Sequence, residues 1–216
     1  MNIMFDLDDT LYDKSATLSH YADYLFDNRL TALNLCPQQF KEAFITQNSI
    51  IQPKAQAFSL LASQFNFSTQ LSDDLLKEFD NTLHEFSVSF PGVHESLTEL
   101  KNNEVSIGCI TNGRDFFQRN KIRALGLDTY FDFIVTSGEL GIKKPDPAIF
   151  QAGLDLFSNN SDQVCFCGDN LSADIQPAKQ LGMTTFWKTR ASSESEFADY
   201  VFNDFSEFDE IWLHRR

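Results

Sequence analysis

The pattern of apolar residues changes twice along the chain, and each change marks a change in predicted structure. Residues 3–5 form a short apolar run that is typical of a buried strand. From about residue 13 to about residue 90, apolar residues recur at the spacing of amphipathic helices. After Phe90-Pro91-Gly92, short apolar runs alternate with amphipathic stretches. The pattern predicts one strand, then a helical segment, then alternating helices and strands.

The helical segment contains four apolar stripes in succession, with no strand pattern between them. Cys36-Pro37 and Pro53 interrupt the pattern and separate the first three helices. Ser72 is the expected N-cap of the fourth helix, because a serine hydroxyl can accept a hydrogen bond from a backbone N–H of the first turn. Four such helices predict a small bundle, with the phenylalanines of this segment in its core.

The sequence pattern of the C-terminal part of the chain is typical of a parallel sheet flanked by helices. Apolar runs predict strands at 105–110, 133–135, 164–167, 184–187 and 200–202. Asp146-Pro147 predicts a helix start, since it places an N-cap residue before a proline at the first helical position. Pro177 would kink any helix that began as early as Ser172.

This alternation predicts an α/β fold, a doubly wound, Rossmann-like parallel sheet with the helical bundle inserted after the first strand. The sheet domain is then discontinuous, with residues 1–12 and 91–216 forming an α/β core. Residues 13–90 form the inserted cap domain.

Acidic residues follow the first predicted strand directly. In an extended chain Asp6 and Asp8 project to one side, while Leu7 projects to the other. Two carboxylates at a strand end can hold a divalent metal through their oxygens, or act as a nucleophile and a proton donor. An acidic turn or a helix N-cap is the structural alternative.

Polar residues also follow three later strands, where a doubly wound sheet forms its sites. Thr111-Asn112-Gly113 follows the second strand, Lys144 lies in the loop after the third, and Asp169 and Asp174 follow the fourth. Each has a structural alternative of its own: a turn, a solvated lysine or an acidic helix start. Their occurrence at four strand ends predicts a common site.

Composition restricts the class of partner. The chain has 216 residues with a net charge of −14, which disfavours a general nucleic-acid-binding surface. An anionic substrate would require a local cation. Cys109, Cys165 and Cys167 lie in apolar runs and are expected to be reduced, buried thiols. No apolar run spans a bilayer, and Asp6 precedes any apolar run of a signal peptide, so we expect no membrane association and a cytoplasmic location.

The motifs DLDDT, ITNG, KKPDP and GDNLSAD occur in this order. Together they resemble the haloacid dehalogenase-like hydrolase superfamily, in the branch with a helical cap after the first motif. The resemblance covers nearly the whole chain. Around the second and third motifs the chain is similar to the nucleotide and sugar-phosphate phosphatases of that branch.

The resemblance implies a role for each motif residue. Asp6 would be the nucleophile that forms an aspartyl-phosphate, and Asp8 would be the general acid and base. The residues that would bind the substrate phosphate are Thr111, Asn112, Gly113 and Lys144, the last favoured over Lys143 because it directly precedes proline. The residues that would bind Mg²⁺ are Asp6, Asp8 through its carbonyl, Asp169 and Asp174.

A charge count supports Mg²⁺ as the cofactor. Four ionised carboxylates and one lysine leave a net charge of about −3, which would repel a phosphate monoester. A bound Mg²⁺ would reduce that charge and bridge protein and phosphate. The expected substrate is a small phosphorylated metabolite, either a nucleoside 5'-monophosphate or a sugar phosphate.

Alternatives within the superfamily remain. A phosphosugar mutase would keep the same acids. A haloacid dehalogenase lacks the second acid of the first motif, and a non-catalytic binding protein usually loses the nucleophile or the lysine. Substrate selectivity is expected from the cap, where Gln47, Asn48 and Lys54 are candidates. The sequence leaves open whether the protein is a monomer or a homodimer.

Overall fold

The computed structural model describes residues 2–50, 52–157, 160–189 and 194–214. The chain divides into two compact units: residues 1–12 with 89–216, and residues 13–88. We call these the sheet unit and the helical unit. The helical unit ends at residue 88, whereas the sequence predicts that the inserted domain ends at residue 90.

Strands and helices alternate in the sheet unit. The strands found in the described part of the chain are β1 (Asn2–Phe5), β2 (Ile107–Thr111), β3 (Phe133–Thr136), β4 (Val164–Gly168), β5 (Thr184–Lys188) and β6 (Tyr200–Phe202). All neighbouring strands pair in parallel, in the order β3-β2-β1-β4-β5-β6. This order is that of a doubly wound sheet, whose switch point lies beside the first strand. The predicted fold class is confirmed.

Both units also contain α-helices. Those of the helical unit are α1 (Lys14–Leu25), α2 (Pro37–Ser49), α3 (Lys54–Phe65) and α4 (Thr69–Thr82). Those of the sheet unit are α5 (Val93–Asn102), α6 (Asp115–Ala124), α7 (Ser137–Leu140), α8 (Pro147–Phe157), α9 (Gln176–Gln180) and α10 (Phe205–His214). The predicted helix start at Asp146-Pro147 is confirmed, since the Asp146 carboxylate accepts a hydrogen bond from the Ala148 N–H.

Apolar layers cover both faces of the sheet. Ile3 and Phe5 of β1 pack into one core cluster, whereas Met4 between them packs into a second cluster. The first cluster includes the aromatic residues Phe205 and Phe208 of α10. Burial on both faces explains why the strands are continuous apolar runs rather than alternating ones. Polar side chains are therefore expected mainly at the strand ends.

Aromatic rings form the core of the helical unit. The Tyr21 ring centroid lies 6.0 Å from that of Phe44, 5.6 Å from that of Phe79 and 5.2 Å from that of Phe86. Phe58 contacts both Phe44 and Phe79 at similar distances. The prediction that these phenylalanines form a bundle core is confirmed.

One local prediction is wrong, and a second is made more specific by the structure. The N-cap of α4 is Ser68, whose hydroxyl accepts a hydrogen bond from the Leu71 N–H, and Ser72 is a buried residue inside the helix. The stretch before Pro177 is helical but not a regular α-helix: residues 171–175 form a π-helical turn, and Pro177 falls in the first turn of the helix that follows, α9. A proline is tolerated in a first turn, where its missing N–H has no intrahelical acceptor.

None of the helices described is long and apolar enough to cross a membrane. All four cysteines are free thiols: Cys36 is exposed, and the other three are buried. Burial raises the pKa of the Cys109 and Cys167 thiols well above the ordinary range. The predicted burial of the strand cysteines is confirmed.

Thiol accessibility provides a test of this fold. We expect a maleimide reagent to modify Cys36 rapidly in the native protein and the three strand cysteines only after unfolding, because a buried protonated thiol is a poor nucleophile. Mass spectrometry after brief labelling, with and without denaturant, measures this. Rapid native labelling of a strand cysteine would contradict the described core.

Candidate active site

The end of β1 places Asp6 at the centre of the sheet. β1 pairs with β2 on one side and with β4 on the other, and the Asp6 N–H continues the pairing by donating to the Cys167 carbonyl at 2.9 Å. After Leu7 the chain turns sharply, because the Leu7 carbonyl accepts from the N–H groups of Leu11 and Tyr12. The Asp6 side chain therefore lies at the switch point of strand order.

Lys144 joins two carboxylates from different strand ends. Its ammonium lies 2.5 Å from Asp6 Oδ1 and 2.7 Å from Asp174 Oδ1, and it also donates to the Ile110 carbonyl. The Asp174 contact is an ion pair. All three charged side chains are buried. Lys143, by contrast, is exposed, so the structure brings Lys144 to the site.

Thr10 completes the surroundings of Asp6. Its buried hydroxyl donates to Asp6 Oδ2 at 3.1 Å, while Lys144 binds Oδ1. Both oxygens of the carboxylate are thus held. A carboxylate held by both oxygens has a fixed orientation, as a nucleophile requires.

Gly168 allows Asp174 to approach the end of β4. A Cβ atom at residue 168 would lie 2.6 Å from the Asp174 Cβ, which is closer than real side chains come. Asp174 lies within the π-helical turn of residues 171–175, and its Oδ2 accepts from the Asn170 N–H. The absence of a side chain at residue 168 therefore places this carboxylate beside Lys144.

Asp169 brings a third carboxylate to the cluster. One carboxylate oxygen from each of Asp6, Asp169 and Asp174 lies within 4.8 Å of the others. The Asp169 carbonyl accepts a hydrogen bond from the Trp187 indole at 2.8 Å, which fixes this turn to β5. The cluster combines the ends of β1 and β4, as the strand-end argument predicted.

The pKa values of the cluster indicate a shortage of positive charge. Burial raises the pKa of Asp6 well above its ordinary value, although Lys144 opposes the shift. Burial and the nearby Asp174 raise the pKa of Asp169 to about 7. Burial alone would lower the pKa of Lys144, but the carboxylates of Asp174 and Asp6 outweigh it and raise that pKa. One lysine does not neutralise three acids, of which Asp6 and Asp174 are buried and Asp169 is half-buried.

Asp8 lies against α6 rather than in the carboxylate cluster. Its Oδ1 is 2.6 Å from the Lys121 ammonium, and its Oδ2 accepts from the Gln118 amide at 2.8 Å. Because both of its carboxylate oxygens have partners on α6, Asp8 would contribute to a metal site only through its backbone carbonyl, as the resemblance implies. Sequence reasoning missed Gln118 and Lys121, both of which are buried. The sequence did carry a signal: Gln118 and Lys121 lie on the same face of α6 as the buried Ile122, and polar residues on such a face need a buried partner.

The predicted phosphate loop is held by several side-chain contacts. The Asn112 amide makes two reciprocal hydrogen bonds with the Lys144 backbone, at 2.8 and 3.0 Å. The Thr111 hydroxyl oxygen accepts from Gln118 at 2.6 Å and so keeps its own hydrogen for donation. The Gly113 N–H, which was expected to bind phosphate, donates to the Ser137 hydroxyl in this structure.

The family is decided by comparison with known sequences. A model of the family described as haloacid dehalogenase-like hydrolase matches residues 3–188. The chain belongs to this family. The predicted family relationship is confirmed. Asp6, Thr111, Lys144 and Asp169 all lie within the matched residues of this haloacid dehalogenase-like hydrolase.

Individual relatives agree with the family match. The glyceraldehyde 3-phosphate phosphatase of Methanocaldococcus jannaschii is 31% identical over 230 aligned positions, which cover 97% of this chain and 95% of that protein. The pyrimidine 5'-nucleotidase YjjG of Escherichia coli is 33% identical over 114 positions, 52% of this chain and 50% of that protein. The crystal structure of the HAD hydrolase YfnB of Bacillus subtilis, bound to magnesium, superposes with a TM-score of 0.80 at 20% identity over 98% of both chains. At this sequence identity, the similarity to YfnB shows the fold alone.

The carboxylate cluster of this haloacid dehalogenase-like hydrolase fits a magnesium ion. Its donors are carboxylate oxygens, the ligands that Mg²⁺ prefers. The raised pKa values of Asp6 and Asp169 show that the cluster would be stabilised by an added cation. The residues present therefore suit the cofactor.

The three candidate selectivity residues of the helical unit have structural contacts. Asn48 is fully buried and donates to the Phe44 carbonyl within α2. Lys54 donates to the Asn48 carbonyl, and Gln47 accepts from Gln52. These bonds stabilise the C-terminus of α2. A direct substrate contact by Asn48 is not compatible with its complete burial, and the expectation is corrected there.

The pKa of Asp169 predicts a pH effect in metal-free protein. A carboxyl whose pKa is about 7 when folded and 3.8 when unfolded contributes stability that is lost as the pH rises from about 4 to about 7. We expect Asp169→Asn to be more stable than the wild type at pH 7.5 by up to about 4 kcal/mol, an upper limit because the group is partly solvated.

Urea unfolding at pH 4 and pH 7.5, in the presence of a chelator, measures this difference. The gap between variant and wild type should close at pH 4, and added Mg²⁺ should reduce it at pH 7.5. A variant that is less stable than the wild type at pH 7.5 without metal would contradict the assignment.

Proposed function

We propose that the protein is a Mg²⁺-dependent phosphatase that hydrolyses a small sugar phosphate through an aspartyl-phosphate on Asp6. The observation that carries the proposal is the arrangement around Asp6. Its carboxylate is held by Thr10 and Lys144, beside the half-buried Asp169 and the buried Asp174, at the switch point of the sheet. This combines a fixed nucleophile, a cation and metal-binding groups in one place.

The relatives support the class of enzyme. The chain is a phosphatase of the haloacid dehalogenase-like family, a phosphoric monoester hydrolase, like the relative that it matches along nearly its full length. That relative is named for a triose phosphate, whereas the nucleotidase match covers about half of this chain. We therefore favour a sugar phosphate over a nucleoside 5'-monophosphate as substrate.

The first half-reaction transfers the phosphoryl group to the enzyme. An Asp6 carboxylate oxygen attacks phosphorus, the ester P–O bond breaks, and Asp8 supplies a proton to the departing alcohol oxygen. Thr10 and Lys144 keep the Asp6 carboxylate oriented during attack. The Thr111 hydroxyl, whose oxygen already accepts from Gln118, would donate its hydrogen to a phosphate oxygen.

The second half-reaction releases phosphate. Asp8, now a carboxylate, accepts a proton from a water molecule whose oxygen attacks phosphorus, and the bond from Asp6 to phosphorus breaks. Asp6 is restored as a carboxylate and Asp8 as a carboxylic acid. The two aspartates thus complete a hydrolytic cycle with no other group consumed.

Electrostatics determine what the site requires. The residues that would hold the metal are Asp6, Asp169 and Asp174, with the Asp8 carbonyl. Mg²⁺ bound there would attract the phosphoryl group and offset the negative charge that develops on it. Lys121 changes the earlier charge count: four carboxylates face two ammonium groups, Lys144 and Lys121, so the formal charge is −2 rather than −3 if all are ionised.

Metal removal is the most direct test. We expect chelation to abolish hydrolysis of sugar phosphates and added Mg²⁺ to restore it, because two ammonium groups leave the phosphate-binding end of the sheet negative. Phosphate release across a panel of triose, hexose and nucleoside monophosphates measures both activity and preference. Full turnover by enzyme shown to be free of metal would exclude this mechanism.

Substitution of each aspartate should separate their roles. Asp6→Asn is expected to lose turnover and any acid-stable phosphoenzyme, since it removes the nucleophile. Asp8→Asn should slow both half-reactions by about 10²–10⁴-fold on an alkyl phosphate but still form phosphoenzyme from an activated ester. Rapid quenching and peptide mapping identify the labelled residue. Phosphate found on any residue other than Asp6 would refute the assignment.

A further inference from the structure

Two donors from one helix hold the carboxylate of Asp8. Lys121 contacts Oδ1 and Gln118 contacts Oδ2, so each oxygen has a donor. The two residues lie three positions apart on α6 and share one of its faces. A rigid helix therefore fixes the plane of a carboxylate that belongs to a turn.

Lys121 is held in this position on several sides. Its ammonium lies 4.6 Å from the ring centroid of Tyr12 and 5.1 Å from that of Phe117, and the residue is buried. A buried ammonium is stabilised by a nearby negative charge, and Asp8 supplies that charge whenever it has given up its proton. The Asp8 side chain is 28% exposed on the other side, so it remains accessible while the lysine does not.

Gln118 connects Asp8 to the phosphate loop. The same amide nitrogen that lies 2.8 Å from Asp8 lies 2.6 Å from the Thr111 hydroxyl and 3.2 Å from the Asn112 carbonyl. Gln118 also packs against Gly113, where an added Cβ would lie 2.9 Å from its side chain. One side chain thus sets the spacing between the proton donor and the phosphate-binding hydroxyl.

We propose that Lys121 and Gln118 are positioning residues that act through Asp8 to promote proton donation to the leaving alcohol. This inference rests on the proposed phosphatase activity. As the proton leaves Asp8 in the transition state, negative charge develops on its carboxylate. The Lys121 ammonium, 2.6 Å away in a water-poor environment, stabilises that charge, and Gln118 keeps the carboxyl group directed at the substrate.

The proposal makes the effect of Lys121 depend on the leaving group. An alkoxide needs a proton as it departs, whereas a nitrophenolate leaves without one. Lys121→Met should therefore lower kcat on an alkyl phosphate by about 10- to 100-fold, a part of what proton donation is typically worth. On p-nitrophenyl phosphate the loss should be under about threefold, with KM little changed on either ester.

The matched control is Arg123→Met. Arg123 is an exposed cation on the same helix, two residues from Lys121, and its removal should leave both rates unchanged. The wild type must hydrolyse both esters for the comparison to apply, and failure there would refute the proposed function rather than this inference. Equal losses on both esters for Lys121→Met would overturn the inference, and so would no loss.

A double-mutant cycle with Asp8→Asn tests whether Lys121 acts through Asp8. In the Asp8→Asn background, Lys121→Met should change kcat on the alkyl ester by less than about threefold, because the group it assists is already absent. The same 10- to 100-fold loss in both backgrounds would show an independent role and overturn the proposal. Thermal melts confirm that each variant is folded. If Lys121→Met is not folded, Lys121→Gln keeps a donor without the charge and carries the same expectations.

Discussion

The structure depends on a buried triad in which one ammonium serves two carboxylates. Lys144 comes from the loop after β3, Asp6 from the end of β1 and Asp174 from the turn after β4. Each of these charges would be costly to bury alone, and each is tolerated because the others are present. The triad therefore fixes three separate segments against one another at the edge of the sheet. The carboxylates still outnumber the ammonium group, and this excess of negative charge suits the cluster to bind a cation.

The hydrophobic sheet makes this polar arrangement possible. β1 is covered on both faces and flanked by β2 and β4, so its end cannot shift without disturbing both core clusters. Much of this was predictable, because continuous apolar runs identify buried parallel strands and the polar residues that follow them must meet at one edge. Asp6, Lys144, Asp169 and Asp174 were found in this way, although 168 positions separate the first from the last.

Other features were not predicted, because they depend on which way a side chain faces. Gln118 and Lys121 occupy core positions of α6, where their partner is a carboxylate from a distant turn. Asn48 looked like a polar residue near a helix end, yet it is buried and bonded within its own helix. Ser68 and Ser72 are equally good N-caps by type, and the burial of Ser72 on the packed face of α4 decides between them. Burial of a polar group is set by tertiary packing, which residue type alone does not specify.

The enclosure of Lys121 has a consequence for how this sequence can change over evolutionary time. If residue 8 lost its charge while Lys121 remained, a buried cation between two aromatic rings would be left without a counter-charge. If Lys121 changed first, the more exposed Asp8 carboxylate could still be solvated. The tolerated order of substitutions is therefore asymmetric, with position 121 changing before or together with position 8. Natural relatives that lack the second acid should accordingly lack the lysine as well, so positions 8 and 121 should vary together among relatives.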